Sequence, residues 1–439
     1  MKSCSSFHHD GVRDFSIWHT KPLTMRFLTC LAILTIVLLA SCSEKKPVER
    51  MNDDELRTYA DVLAHKYILT DGHVDLPFRL KIKNFRIDRE YMAIPIKSSE
   101  GDFDYERAKK GGLDAPFMSI YIPSSYQQLP DMGKALADSL INMIRGIAEN
   151  IPDKFALANS VEDVQKNFKE GKISLPMGME NGAPIGNDLA NVKYFYDRGI
   201  RYITLTHGKD NQICDSSYDT TRTNGGLSTF GRDVVKEMNR VGIMVDISHV
   251  DDSTFYEVME LTKVPVIASH SSCRYYTPAF KRNMSDEMIK KLGENGGVIQ
   301  INFGSTFLDS TVASQNNENR KKLDAILTQN KLKASDSLAK PILEAFKKEN
   351  PSLYADVETV ANHIDHVVQL TSVDQVGIGS DYDGVGDSLP TGLKDVSQYP
   401  NLIYVLLKRG YTESDIEKIC SGNVFRVWQK VAAAANQSK

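Results

Sequence analysis

The 439-residue sequence predicts an α/β fold, a (β/α)8 TIM-like barrel with a metal site at the C-terminal ends of its strands. Three observations lead there. Eight short apolar segments alternate with helix-like ones, which is how a parallel sheet covered on both faces reads. His, Asp and Glu residues fall at the carboxyl ends of those segments, the face where such barrels keep their chemistry. No internal repeat or compositional break marks a second full domain, and single barrels reach this length with insertions.

In chain order, residues 1–42 read as a leader and lipoprotein signal peptide. Met25 and Arg26 precede the apolar run FLTCLAILTIVLLASC, which has signal-peptide length and ends in small residues. Leu39-Ala40-Ser41-Cys42 is similar to a bacterial lipobox, whose cysteine is lipidated and becomes the new N-terminus. An ordinary signal peptide or a short membrane anchor is the plainer alternative. The position of Cys42 directly after small residues, with polar SEKKPVER behind it, favours the lipobox. The expected location is a bacterial cell envelope, lipid-anchored, at the outer membrane or facing the periplasm. Residues 43–59 are a tether and the start of a first helix, and 60–435 are the barrel.

The first strand is YILTDGHVDLP, residues 67–77, broken at Pro77. APFMSIYIP, 115–123, follows a polar connection that ends in a double glycine. A helix from about Met132 to Glu149 sets Leu136, Leu140, Met143, Ile144 and Ile147 on one face. The remaining strands are ISLPMGMENG (173–182), RYITLTHG (201–208), GIMVDISHV (242–250), VPVIASHSS (264–272), GGVIQINFG (296–304) and QVGIGSDYDG (375–384). Helix-like FGRDVVKEMNRV, DSTFYEVMELT and SDEMIKKLGEN lie between strands four and seven. A polar insertion at about 305–356 reads as two amphipathic helices broken near Pro341, and VETVANHIDHVVQL then leads into strand eight.

The strand-end residues are His73, Asp75, Glu180, His207, His249, His270 and Asp381. The two-residue period of a strand turns His73 and Asp75 to one face. Singly, each has an ordinary explanation as a helix cap or a partner for a loop carbonyl. Seven together are costly to bury without a metal to collect them. So many imidazoles and carboxylates exceed one tetrahedral zinc. They suit two ions about 3.5–4 Å apart that share a carboxylate and a hydroxide and polarise a carbonyl. Hydrolysis of an amide or ester is the natural reaction.

A net charge of −4, with 25% charged and 41% hydrophobic residues, gives no basic excess and so predicts no nucleic-acid partner. There is no HExxH, GxSxG or P-loop. His363 and His366 read as packing or helix-surface residues, and His65 has no evident partner. Beyond the leader, Cys214, Cys273 and Cys420 are an odd number without CxxC spacing, best explained as small buried thiols.

The pieces DGHVDLP, GMENG, LTHG, GLSTFGRDVVKEMNRVGIMVDISHV, SHSS, KRN and VGIGSDYDGV, in this order, resemble the membrane (renal) dipeptidase family of zinc metallopeptidases. The resemblance implies a barrel that hydrolyses dipeptides with two Zn2+ per chain, bridged by Glu180 and a hydroxide. It assigns His73 and Asp75 to the first zinc, and His249 with His270 to the second. His207 would contact the substrate carbonyl oxygen, and Arg282 the dipeptide's free carboxylate, with Arg274 as the nearby competitor. Asp381 would serve as acid/base, ahead of Asp383. The implied partners are a dipeptide substrate, L-L or L-D, and a membrane through the N-terminal lipid anchor, with a homodimer left open. Two other readings stand beside this one. One is a different amidohydrolase activity on N-acyl amino acids, lactones or cyclic amides. The other is a catalytically inactive envelope binding lipoprotein.

Overall fold

The computed structural model describes residues 48–82, 95–128 and 131–437. The signal peptide, Cys42 and the start of the tether lie outside the described residues. Among those described, no helix is long and apolar enough to cross a membrane.

Eight parallel strands form one sheet in sequence order: β1 (Leu69–Val74), β2 (Leu113–Tyr121), β3 (Met177–Glu180), β4 (Ile200–Thr204), β5 (Met244–Asp246), β6 (Ile267–Ser271), β7 (Val298–Ile301) and β8 (Val376–Ile378). β8 comes back to β1. Val74 bridges Tyr382, the Asp75 N–H donates to Tyr382 O at 2.8 Å, and the Asp381 N–H donates to His73 O at 3.1 Å. The fold is therefore the (β/α)8 barrel that the alternation of strands and helices predicts. Almost every strand residue is buried, because helices cover the outside while side chains fill the inside.

The helices begin and end where local chemistry dictates. Ser228, Asp251, Ser285 and Asp356 each cap a helix by accepting a backbone N–H three residues on. Gly242 and Gly296 end two of them in the left-handed conformation, at φ 92° and 77°. At the amino-terminal end of the barrel, Met244, Ile267 and Val298 pack with Phe117 and Tyr202 against Val424, Val427, Trp428 and Val431 of the C-terminal helix Asn423–Gln437. That end is sealed, which leaves the carboxyl rim for chemistry.

Two details differ from the sequence reading. The expected third strand is two strands. Ile173–Leu175 pairs with Phe155–Leu157 in a separate two-stranded sheet, and only Met177–Glu180 joins the barrel. Pro176 divides them, since it has no N–H to continue a ladder and offers only its carbonyl, to Met118. In the insertion, Ser310–Gln329 and Lys340–Glu349 are the two helices. Pro341 lies in the first turn of the second, where its missing N–H is harmless, so it starts that helix instead of interrupting one.

Candidate active site

All seven strand-end residues converge at the carboxyl rim. His73 and His270 lie within β1 and β6, and Glu180 ends β3. Asp75, His207, His249 and Asp381 stand on the turns just beyond their strands. Three triads each bring a ligand atom from every member within 4.8 Å: His73–Glu180–His270, Glu180–His207–His249 and His73–Asp75–Asp381.

Glu180 is at the centre, and its two oxygens divide the imidazoles. His249 Nε2 and His270 Nε2 lie 3.0 and 3.3 Å from Oε1, whereas His73 Nε2 is 3.3 Å from Oε2. His73 Nε2 is also 3.5 Å from Asp75 Oδ2. His207 Nε2 is farther from Oε1, at 3.7 Å, and its side chain stays 25% exposed towards the cleft. The donor chemistry fits divalent metal. His249 Nε2 and His270 Nε2 converge to 2.9 Å, and His73 Nε2 and Asp75 Oδ1 are buried without a hydrogen-bond partner. Such groups are stable together when a cation lies between them.

Two of the imidazoles are oriented from behind, whereas His249 Nδ1 is buried without a hydrogen-bond partner. His73 Nδ1 meets the Tyr202 hydroxyl at 2.9 Å, and that hydroxyl donates to Gly72 O at 3.0 Å. His270 Nδ1 meets Ser269 Oγ at 2.7 Å, which donates to Asp246 Oδ2 at 2.6 Å. With Nδ1 engaged, both rings present Nε2 to the centre, the usual arrangement behind a metal-ligating histidine. Asp381 Oδ2 accepts from Asn302 Nδ2 at 2.8 Å. Gly384 makes room here, because a Cβ on it would overlap the carboxylates of Asp381 and Asp75.

The electrostatics follow from burial and crowding. Burial would raise Glu180, but the surrounding imidazoles hold it well below the usual carboxylate range. Burial opposes charge on His73, yet the Tyr202 oxygen, Glu180 and Asp75 lift it above the ordinary histidine range. Burial, with Arg282 close by, holds His249 neutral; burial, with His73 close by, does the same for His270. Asp381 is pushed up to about 7 by burial, with Asp75 and Glu180 adding to the effect against His73.

The paired alternatives separate cleanly. Arg282 is buried behind the rim, donating to Ser271 Oγ at 2.8 Å and to His270 O at 2.7 Å, while its Nε has no partner. Arg274 is committed elsewhere, in a two-point ion pair with Asp252 at 2.9 and 2.6 Å. Asp383 binds Arg79 Nη1 through both oxygens, at 2.8 and 2.7 Å, and accepts the Asp102 N–H, so it braces the turn. His363 is buried packing, bonded to the Cys273 N–H and Leu308 O, and His366 pairs with Asp286. Cys214, Cys273 and Cys420 are buried free thiols.

Tyr202, Asp246, Ser269 and Asn302 are the supporting residues that sequence reasoning did not single out. A signal existed for one of them: Asp246 is a carboxylate at the end of the otherwise apolar strand Met244–Asp246.

A buried cluster of imidazoles and carboxylates at the carboxyl rim of a (β/α)8 barrel defines a metallohydrolase. Residues 57–439 match the family model described as membrane dipeptidase, peptidase family M19, and the chain belongs to that family. It is 32% identical over 382 residues to an uncharacterized dipeptidase of Schizosaccharomyces pombe, covering 84% of this chain and 81% of that one. It is 31% identical over 376 residues to dipeptidase tcpJ of Claviceps purpurea, covering 84% and 78%. Among solved structures, the probable dipeptidase PvdM of Pseudomonas aeruginosa superposes with a TM-score of 0.73 at 25% identity, over 87% of this chain and all of that one. The protein is a dipeptidase of this metallopeptidase family.

Proposed function

We propose that the protein is a two-zinc enzyme that hydrolyses small dipeptides, L-L and also L-D. The observation that carries this reading is the division of imidazoles between the two oxygens of Glu180, the arrangement a bridging carboxylate needs. His73, Asp75 and Glu180 would hold one ion, and Glu180, His249 and His270 the other. When bound, the pair supplies an activated water and a Lewis acid for the scissile carbonyl.

The chain's own residues do the rest. His207, kept neutral by burial and facing the cleft, donates a hydrogen bond to the carbonyl oxygen as it gains charge. Asp381, steadied by Asn302, accepts a proton and delivers it to the departing amine. Arg282 receives the free carboxylate of the substrate. It is a buried cation with no carboxylate at ion-pair distance among the described residues, and an anionic ligand removes that penalty. An N-terminal lipid on Cys42 would hold this activity at the cell envelope.

The test is elemental analysis of the purified protein alongside hydrolysis of L-Ala-L-Ala and L-Ala-D-Ala. Close to two zinc per chain and chelator-sensitive cleavage are expected. Two zinc with no dipeptide cleaved would redirect the search to other amides, and one metal or none would refute the bridged site.

A further inference from the structure

The catalytic cleft is a cavity of about 520 Å³ whose lining includes Glu180, His207, His249 and Asp381. A second chamber of about 570 Å³ shares Tyr218, Thr306 and Phe307 with it. The far wall of this chamber is one face of the insertion helix Ser310–Gln329, where Ser310, Ala313, Ser314, Asn317 and Arg320 follow each other at helical spacing. The insertion is fixed against the catalytic rim. Asp387 accepts from Lys347 at 2.9 Å and from the Tyr354 hydroxyl at 2.7 Å, and the Ser305 N–H donates to Ser388 O at 2.7 Å.

The chemistry of the chamber is one-sided. Phe280, Phe307, Ala279 and Ala313 line it beside hydroxyls, an amide and the solvent-exposed guanidinium of Arg320, and it has no acidic residue. Arg320 donates to Asn317 Oδ1 at 3.0 Å and has no ion pair among the described residues. The carboxylate of Asp387, which borders a further cavity that Arg320 also lines, is already held by Lys347 and Tyr354.

The geometry also says which end of a substrate faces this chamber. The guanidinium of Arg282 lies 5.6 Å from the centre of the Phe307 ring, the wall common to both cavities. A substrate whose carboxylate rests on Arg282 carries its C-terminal side chain on a carbon next to that wall. Arg320 is ten residues beyond Ser310, about 15 Å along the helix, and helical side chains lean back towards the N-terminus. Its hydrogen bond to Asn317 fits that lean. A C-terminal side chain that crosses this chamber with a carboxylate at its end would set that carboxylate against the guanidinium of Arg320.

We propose that this second chamber is the subsite for the C-terminal residue of the substrate. It selects a long side chain ending in a carboxylate, such as glutamate or 2-aminoadipate, with Arg320 as the counter-charge. The inference rests on the dipeptidase reading above.

The test measures kcat/KM of the zinc-loaded enzyme on Ala-Ala, Ala-Asp, Ala-Glu, Ala-2-aminoadipate, Ala-Lys and the neutral control Ala-Gln, for the natural protein, Arg320→Gln and Arg320→Glu. In the natural protein, Ala-Glu and Ala-2-aminoadipate should exceed Ala-Gln and Ala-Asp by tenfold or more. Arg320→Gln should bring the Ala-Glu to Ala-Gln ratio close to one, mainly through KM, and Arg320→Glu should turn the preference towards Ala-Lys. If Ala-Ala is cleaved but that ratio is near one in the natural protein, or is the same in Arg320→Gln, the subsite is wrong and the dipeptidase reading stands. If no dipeptide is cleaved by the two-zinc protein, both fall.

Discussion

Replacing Tyr202 with Phe isolates the support behind one proposed ligand. The ring is fully buried inside the barrel, where Gly178 leaves it room, since a Cβ there would overlap the ring. Phe keeps this packing and removes only the hydroxyl. That hydroxyl is the partner of His73 Nδ1 and the donor to Gly72 O. Without it a buried N–H and a buried carbonyl each lose a partner, at about 1–3 kcal/mol for each group left unsatisfied. The ring of His73 is then free to turn or change tautomer. Loss of an outer partner of this kind typically lowers metal affinity about 10–100-fold, or about 1.4–2.8 kcal/mol. Zinc affinity is measured by competition with a chromophoric chelator, and Ala-Ala hydrolysis is followed at limiting and at excess zinc. Tyr202→Phe should bind one of the two proposed ions about 10–100-fold more weakly and regain most of its activity in excess zinc. Zinc affinity equal to that of the natural protein would refute the argument that Tyr202 sets the orientation of His73.

Three further outcomes are expected. Glu180→Ala should lose both ions and all dipeptide hydrolysis, and any retained turnover would sink the bridged site. Gly384→Ala pushes its methyl into the ends of two carboxylate side chains, not into backbone, so it should cut kcat/KM at least tenfold while leaving the melting temperature within a few degrees; unchanged kinetics would show that the placement of Asp75 and Asp381 is not critical. Asp114 is buried on β2, accepts the Leu69 N–H, and is pushed by burial from 3.8 to about 7 even with Lys109 Nζ at 3.8 Å. A raised carboxylate adds stability below its unfolded pKa and loses it as pH rises through the folded one, a change of up to about 4 kcal/mol between pH 4 and 7. Asp114→Asn should flatten that slope in denaturant titrations at pH 5 and pH 8, and parallel slopes for the two proteins would contradict it.

The barrel was legible because its strands are buried on both faces and most of their residues are therefore apolar. His73, Glu180 and His270 stand out against Leu69, Met177–Met179 and Val266–Ala268 for that reason. Local pattern failed where the deciding partner is distant in sequence. Arg282 follows β6 by eleven residues, and its place behind the rim depends on the chain folding back so that its guanidinium reaches His270 O and Ser271. No spacing marks that return, and only the family resemblance brought the residue into view. The Asp246–Ser269–His270 chain joins two strands, so neither segment alone discloses it. The insertion was readable as helices, but that one face of Ser310–Gln329 walls a chamber adjoining the catalytic cleft is a tertiary fact.

The rim also stores backbone strain, which links the barrel to the chemistry. Asn181, His249 and Asp381 all adopt left-handed backbone, at φ 77°, 70° and 64°. For residues other than glycine this is uncommon, and each such conformation costs of order 1–3 kcal/mol unless its surroundings enforce it. The surroundings do enforce it. Asn181 is gripped by Ile122 O and Gln127, His249 O accepts the Ser217 N–H at 2.8 Å, and the Asp381 N–H is tied to His73 O across the barrel seam. At each of these points the chain leaves a strand and must turn sharply for its functional side chain, or the one just before it, to face the axis. A relaxed, extended exit would carry His249 and Asp381 outward with the strand. The rigid sheet beneath therefore supports the strain, and the strain sets the His249 imidazole against Glu180 and the Asp381 carboxylate beside His73 and Asp75 before any ligand arrives, which is the preorganisation that catalysis by fixed electrostatics requires.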